Sequence, residues 1–221
     1  MRMAVVFTKE APVRFVSHLD VQRLFQRAFR RAKLPMAYSQ GFNPHPLVSF
    51  ATALSVGMTS RGEYLDVILT EDMTPEDFIA LVSPHLPEGV RIVEAFDLGV
   101  SNKSLTSAMR AASYEARVKL SRPVSKDEID NAIKELLSNE IVIQKKTKGG
   151  IKPTDIRPMV FELKCICAEG NEARLEIRGA LTASGGLNPE VLLGVLFGRM
   201  GVDHTAETER TETELDRAAL N

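Results

Sequence analysis

Apolar residues recur along this chain at two spacings, and the alternation between the two lays out its elements. Residues 3–7 are continuously apolar and β-prone, which predicts a first strand. After a turn over 8–13, Ser17 stands as an N-cap with Asp20 in the first turn. Val21, Leu24, Phe25, Ala28, Phe29 and Ala32 follow at helical spacing, so a helix is predicted there, ended by Leu34-Pro35. Residues 47–52 and 63–69 read as strands. Thr74-Pro75-Glu76 opens a second helix with proline at its favoured first position, and 90–96 reads as another strand. Strand, helix, strand, strand, helix, strand is the element order of a ferredoxin-like split βαβ unit.

The stretch 98–112 is small and polar, with no convincing turn or strand signal, and a domain boundary is expected in it. Beyond it, strands over 114–120 and 141–145 flank a helix over 126–137 that follows a Ser125 cap. Strands over 159–167 and 173–178 come next, and Asn188-Pro189-Glu190 starts a helix reaching residue 200. The expectation is an α+β protein of two ferredoxin-like lobes, the second diverged: a first lobe over 1–98, a second over 112–202, and an acidic tail over 203–221 that frays.

Composition narrows the class. With 44% hydrophobic and 26% charged residues in 221, the chain can bury a sizeable core and is globular. No apolar run approaches the roughly 20 residues of a membrane helix, and residues 1–7 are too short for the apolar core of a secretory signal. The reading is a cytoplasmic protein without a membrane role. Cys165 and Cys167, the only cysteines, lie two apart on a predicted strand, so their side chains are expected to point the same way. Two thiols without a nearby His pair fall short of a structural zinc site, and neither metal nor cofactor is expected. The chain has no Cys triplet for an iron–sulfur cluster, no Gly-x-Gly-x-x-Gly opening a helix, no His-Glu-x-x-His and no Gly-x-Ser-x-Gly.

The formal net charge of -1 conceals segregation. Residues 1–62 carry nine basic side chains against two acidic ones, whereas residues 63–97 carry nine acidic against one basic. Such blocks mean either a basic face for an anionic partner or two segments that neutralise one another. Within the basic block, Arg23, Arg27, Arg30 and Arg31 fall on the side of the first helix opposite its apolar stripe, and their guanidinium forks suit phosphate.

Immediately afterwards comes the loop Tyr38-Ser39-Gln40-Gly41-Phe42-Asn43-Pro44-His45-Pro46. It combines two stiffening prolines, a permissive glycine, two aromatics and an imidazole. Gly41, Phe42, Asn43 and His45 are candidate contacts for RNA or another anion. The structural alternative is a rigid turn whose Phe42 plugs the core. His18 and His45 are the candidate catalytic residues, an acid and base pair if the loop folds back beside the helix N-terminus. In the second lobe Lys146, Lys148, Lys152 and Arg157 surround Gly149-Gly150 as a basic loop suited to a polyanion.

Arg14-Phe15-Val16-Ser17-His18-Leu19-Asp20, then Arg27-Ala28-Phe29-Arg30-Arg31-Ala32, Leu34-Pro35 and the loop from Tyr38 to Pro46 together resemble the radical-SAM-linked protein family. Glu63-Tyr64-Leu65-Asp66 and Asp155-Ile156-Arg157 are similar to it as well. That family is a bacterial domain of unknown function, fused to or encoded beside a radical SAM protein. The resemblance implies a radical SAM partner, because this chain lacks the cysteines for the cluster that such chemistry needs.

Three functional readings follow. The leading one is a non-catalytic binding module for RNA or an RNA-like anion, acting with a radical SAM partner. The second is a metal-independent RNA-processing nuclease using His18 and His45. The third is a protein-binding scaffold. Catalysis by this chain alone is the less favoured expectation.

Overall fold

In the computed structural model the N-terminal apolar run is strand β1 (Arg2–Lys9), buried from Met3 onward. The structure describes residues 1–99, 103–147 and 150–220, with no side-chain account of residue 147. These fall into two units, Met1–Arg110 with Glu212–Asn221, and Ala111–Thr211.

In the first unit β1 is followed by helix α1 (His18–Arg31), strands β2 (Val48–Phe50) and β3 (Thr59–Ile68), helix α2 (Pro75–Val82), strand β4 (Ile92–Asp97) and a single helical turn, α3 (Leu105–Ala108). The first six of these come in the expected order. β1 lies between β3 and β4, and β2 pairs with β3, every pairing antiparallel. Each strand–helix–strand connection therefore skips over an antiparallel neighbour.

The register stacks inward-facing residues in rungs. Met3 stands opposite Val67, which faces Val48; Val5 stands opposite Leu65, which faces Phe50; Phe7 stands opposite Glu63. Phe25 and Phe29 of α1 and Phe78 of α2 close over this face in edge-on and tilted ring pairs 4.6–6.0 Å apart. Each such pair adds about 0.5–1.5 kcal/mol beyond its area burial. The third rung differs from the other two, because it brings a carboxylate onto the core side.

The second unit takes up strand β5 (Met109–Leu120) from Ala111 onward. Helix α4 (Lys126–Leu137) begins in a reciprocal cap, in which Ser125 Oγ accepts from Glu128 N and Glu128 Oε2 accepts from Ser125 N. Strands β6 (Val142–Thr147) and β7 (Gly150–Asp155) form a hairpin in a two-stranded sheet of their own. Strands β8 (Val160–Glu169), β9 (Glu172–Thr182) and β10 (Gly185–Gly186) follow, then helix α5 (Pro189–Arg199) and strand β11 (His204–Leu215). β9 pairs antiparallel with β5, β8 and β10. Gly179 of β9 allows a close approach, because a Cβ there would lie 2.4 Å from Leu187 Cδ2 and 2.8 Å from the Met159 carbonyl.

Three expectations are corrected. Over its described residues the tail expected to fray is ordered: β11 occupies most of 203–220, with Thr208, Arg210 and Thr213 buried, and Leu220 buried beyond it. Its Thr/Glu composition conceals an ordinary strand whose backbone is satisfied by neighbours. The stretch 98–112 holds α3, capped by Ser104, and the start of β5, with residues 100–102 outside the described ones. Cys165 and Cys167 do not share a face. A register irregularity between them leaves Cys165 buried and Cys167 exposed, both as free thiols.

Candidate functional site

α1 begins where Ser17 Oγ accepts from Asp20 N at 3.2 Å, and the same hydroxyl donates to Asp20 Oδ2 at 2.7 Å. Arg23 Nη1 donates to Asp20 Oδ1 at 2.9 Å. The Ser17 and Arg23 bonds hold the Asp20 carboxyl below its usual range. At the far end Lys33 adopts a left-handed φ of 54°, and Leu34 N donates to Phe29 O at 3.0 Å, closing the helix in a Schellman turn.

Between these caps Val21, Phe25, Ala28 and Phe29 are buried, whereas Arg23, Arg27, Arg30 and Arg31 lie on the side turned away from them, with Arg23 and Arg31 at its two ends. Arg31 Nη2 donates to the His85 carbonyl at 2.5 Å. Among the described residues the guanidinium groups of Arg27 and Arg30 make no ion pair or hydrogen bond. Among the described residues no ion pair joins this face to the carboxylates of 63–97. Asp66 holds Arg2 at 2.5 Å, Glu94 holds Arg217 at 2.7 Å, and Asp72 faces the N-terminal ammonium at 3.8 Å.

The loop over 38–46 is tied at its neck. Tyr38 bridges to Pro46, Ser39 N donates to His45 O at 2.9 Å, and His45 N donates to Ser39 Oγ at 3.1 Å. The same hydroxyl lies 2.8 Å from His45 Nδ1. Gly41 takes a φ of 119°, a conformation reserved in practice for glycine. Asn43 is exposed, and Phe42 is wholly exposed at 111%, so it does not plug the core. A closed, stiff neck holds an aromatic ring out in solvent.

His18 has different surroundings. Its Nε2 lies 3.1 Å from the Gln22 amide nitrogen, which as donor there leaves the neutral ring's proton on Nδ1, and its ring meets Phe50 edge-on at 5.6 Å. Burial lowers its pKa, against an opposing pull from Glu63. Among the described residues no hydrogen bond or ring contact joins His18 to His45, so the structure does not assemble them as an acid and base pair.

His18 instead lines a small cavity with Lys9, Thr52 and Glu63, walled by Phe7 and Phe50. Its volume of about 10 Å³ matches one water molecule. Lys9 and Glu63 are 3% and 5% exposed. Lys9 Nζ donates to the Arg14 carbonyl at 2.9 Å, and burial lowers the lysine's pKa while Glu63 raises it. Lys9, Thr52 and Glu63 were not among the sequence candidates. The available signal was Glu63 itself, an acidic residue at the same parity as the inward-facing Leu65 and Val67.

In the second unit the basic loop proves to be the β6–β7 hairpin. Lys145 stands directly opposite Lys152, and Lys146 opposite Ile151, all four exposed. Like charges facing across strands are unfavourable until something anionic lies between them. Lys148 lies outside the described residues. Arg157 is structural: its Nε donates to Leu137 O at 2.7 Å and its Nη1 to Val160 O at 3.0 Å, which holds the hairpin base rather than leaving the fork for a ligand.

Among the described residues no group of three or more His, Cys, Asp or Glu side chains is placed to hold a metal ion. Nor is any helix among them long and apolar enough to cross a membrane.

The α+β fold has counterparts among solved structures. A chain from a crystal structure of a Cbf5–Nop10–Gar1 complex matches with a TM-score of 0.57 at 12% identity, over 96% of this chain and 48% of that one. A chain from an H/ACA RNP bound to a substrate RNA containing 2'-deoxyuridine matches with a TM-score of 0.54 at 12% identity, over 96% and 47%. An archaeal box H/ACA sRNP Nop10–Cbf5 complex gives 0.52 at 14% identity, over 95% and 47%. The chain thus spans less than half the length of these solved chains, and the likeness is one of fold. No curated protein matches the sequence. A family model described as an uncharacterized protein conserved in bacteria, DUF2344, matches residues 2–189, and the chain belongs to that family.

Proposed function

We propose that this protein is a non-catalytic binding module for RNA, or for an RNA-like anionic substrate, built as two ferredoxin-like lobes and acting with a radical SAM partner. The observation that carries the reading is the α1 face turned away from the core, on which Arg27 and Arg30 have no ion-pair or hydrogen-bond partner among the described residues. Arg23 and Arg31 flank them, and Phe42, with Gly41, Asn43 and His45, offers a stiffly held ring for a base. Lys146 and Lys152 of the hairpin supply further phosphate contacts. The RNA–protein complexes among the fold neighbours support this reading, and the strand orders of the two units support the ferredoxin-like description. The radical SAM partner rests on the sequence resemblance.

Binding of single-stranded RNA by the wild type and by a variant with Arg23, Arg27, Arg30 and Arg31 all changed to alanine tests the reading, measured across a salt series. Wild-type affinity should fall with salt, and the variant should bind more weakly with a slope shallower by about 0.7 for each phosphate it no longer neutralises. Equal affinity and equal slope in a variant that is still folded would sink the proposal.

A further inference from the structure

The cavity beside the first turn of α1 sits at the end of the core where an apolar lining would be the stable choice. It holds instead an ammonium and a carboxylate, each at least 95% buried. Taking such ions out of water is costly even after relaxation. The ammonium is also under-used. Lys9 has three N–H donors and gives one to the Arg14 carbonyl, and among the described residues the other two have no hydrogen-bond acceptor.

Beside the cavity the surface is apolar. Phe15, Leu19 and Val56 are 69%, 61% and 53% exposed, and the Arg14 guanidinium stacks 4.8 Å from the centre of the Phe15 ring. The Arg14 carbonyl that receives Lys9 also receives Gly57 N at 2.8 Å, which fixes this rim to the cavity.

Size and charge together choose the occupant. The space takes one group no larger than water. An anionic oxygen would meet the Glu63 carboxylate, and an ammonium would meet Lys9. A neutral group that both donates and accepts is compatible with both, donating towards Glu63 while its oxygen takes a free Lys9 donor, and that group is a hydroxyl.

We propose that this cavity is a hydroxyl socket which, in bound RNA, receives a ribose 2'-hydroxyl, with Lys9 donating to its oxygen and Glu63 accepting its proton, while a neighbouring base lies on Phe15. The inference rests on the RNA-binding reading and adds to it a means of telling RNA from DNA. The 2'-hydroxyl is the group that separates the two, and a site that leaves a buried charged donor unmatched disfavours the deoxy form.

The test uses the full chain and one mixed single-stranded sequence made as RNA, as DNA and as 2'-O-methyl RNA, with affinities measured at a single salt concentration. RNA should bind about tenfold or more tighter than DNA, as expected for one charge-assisted hydrogen bond, and the 2'-O-methyl form no better than DNA because its methyl overfills the socket. In Thr52→Val and Lys9→Met the ratio of RNA to DNA affinity should fall towards one. Equal wild-type affinity for RNA and DNA overturns the socket and leaves the RNA-binding reading standing. A preference that persists in both folded variants overturns it too, by placing discrimination elsewhere. Failure of the wild type to bind any of the three overturns the RNA reading itself, and the socket with it.

Discussion

Replacing Phe42 with alanine separates binding from folding cleanly. The ring is 111% exposed, so its removal exposes no apolar surface and leaves no cavity. The loop's shape is set by the Ser39–His45 bonds and the Tyr38–Pro46 bridge, which Phe42→Ala leaves intact. Stability should therefore change by less than about 0.5 kcal/mol. The opposite case is Phe29, fully buried among Phe25 and Phe78, whose truncation should cost about 3–5 kcal/mol. If Phe42 stacks on a base, its loss should cost about 1–3 kcal/mol of binding, which is a fall in RNA affinity of about 5- to 150-fold. The salt slope should stay as in the wild type, because no charge is removed, whereas Arg27→Ala should lower it by about 0.7. Fluorescence anisotropy with a labelled single-stranded RNA at several salt concentrations, with a thermal melt of each variant, reads all of these quantities. Unchanged RNA affinity in Phe42→Ala would refute the stacking role. A lowered melting temperature would show that the ring packs against the protein.

Other outcomes follow from the same geometry. Gly179→Ala would force a Cβ against the Met159 carbonyl and Leu187, and should destabilise the chain by about 1–3 kcal/mol in denaturant titrations. His18 and His204 have pKa values lowered by burial from an ordinary 6.5, so just below that pH the unfolded chain binds protons that the folded one refuses. Stability should fall as pH drops through that range to the depressed folded values, and His18→Gln should flatten part of the fall in melts run at a series of pH values. Lys152→Glu replaces a repulsive cross-strand pair with an attractive one. It should raise amide protection in the β6–β7 hairpin by about 0.2–1 kcal/mol in hydrogen exchange while weakening RNA binding.

Local signals gave a good account of local structure. Ser17, Asp20 and the apolar spacing from Val21 to Phe29 specified α1 and the side its arginines occupy, because capping and amphipathicity are written within one helix. Thr74-Pro75 and Ser125 did the same for α2 and α4. What stayed hidden depended on partners distant in sequence. β11 reads as a polar tail because the reason for burying Thr208 and Arg210 lies in the neighbouring strands. The cysteines were misplaced because a strand irregularity is a property of the pair of strands. The meeting of Lys9 and Glu63 at one cavity, 54 positions apart, comes from the β1–β3 register, in which Phe7 stands opposite Glu63, and no spacing rule within either strand announces it. Arg157 shows the converse error. Counted with the lysines by charge, it is claimed by two backbone carbonyls that only the folded chain brings to it.

The first unit is made of two pieces of chain, and its last piece, beginning at Glu212, carries several of its fastenings. Thr213 Oγ1 donates to Gly62 O at 3.0 Å, Arg217 grips Glu94 and stacks 4.2 Å from the centre of the Phe96 ring, and Asp216 pairs with Arg110. Synthesis runs from the N-terminus, so a ribosome delivers the arginine helix and its loop early and these fastenings only after residue 211. During that interval the second unit has all of its own chain and the first does not. The surface proposed to bind RNA thus belongs to a unit that stays incomplete until the segment from Glu212 has been made, and a nascent chain halted inside β11 would present the arginines before those fastenings form.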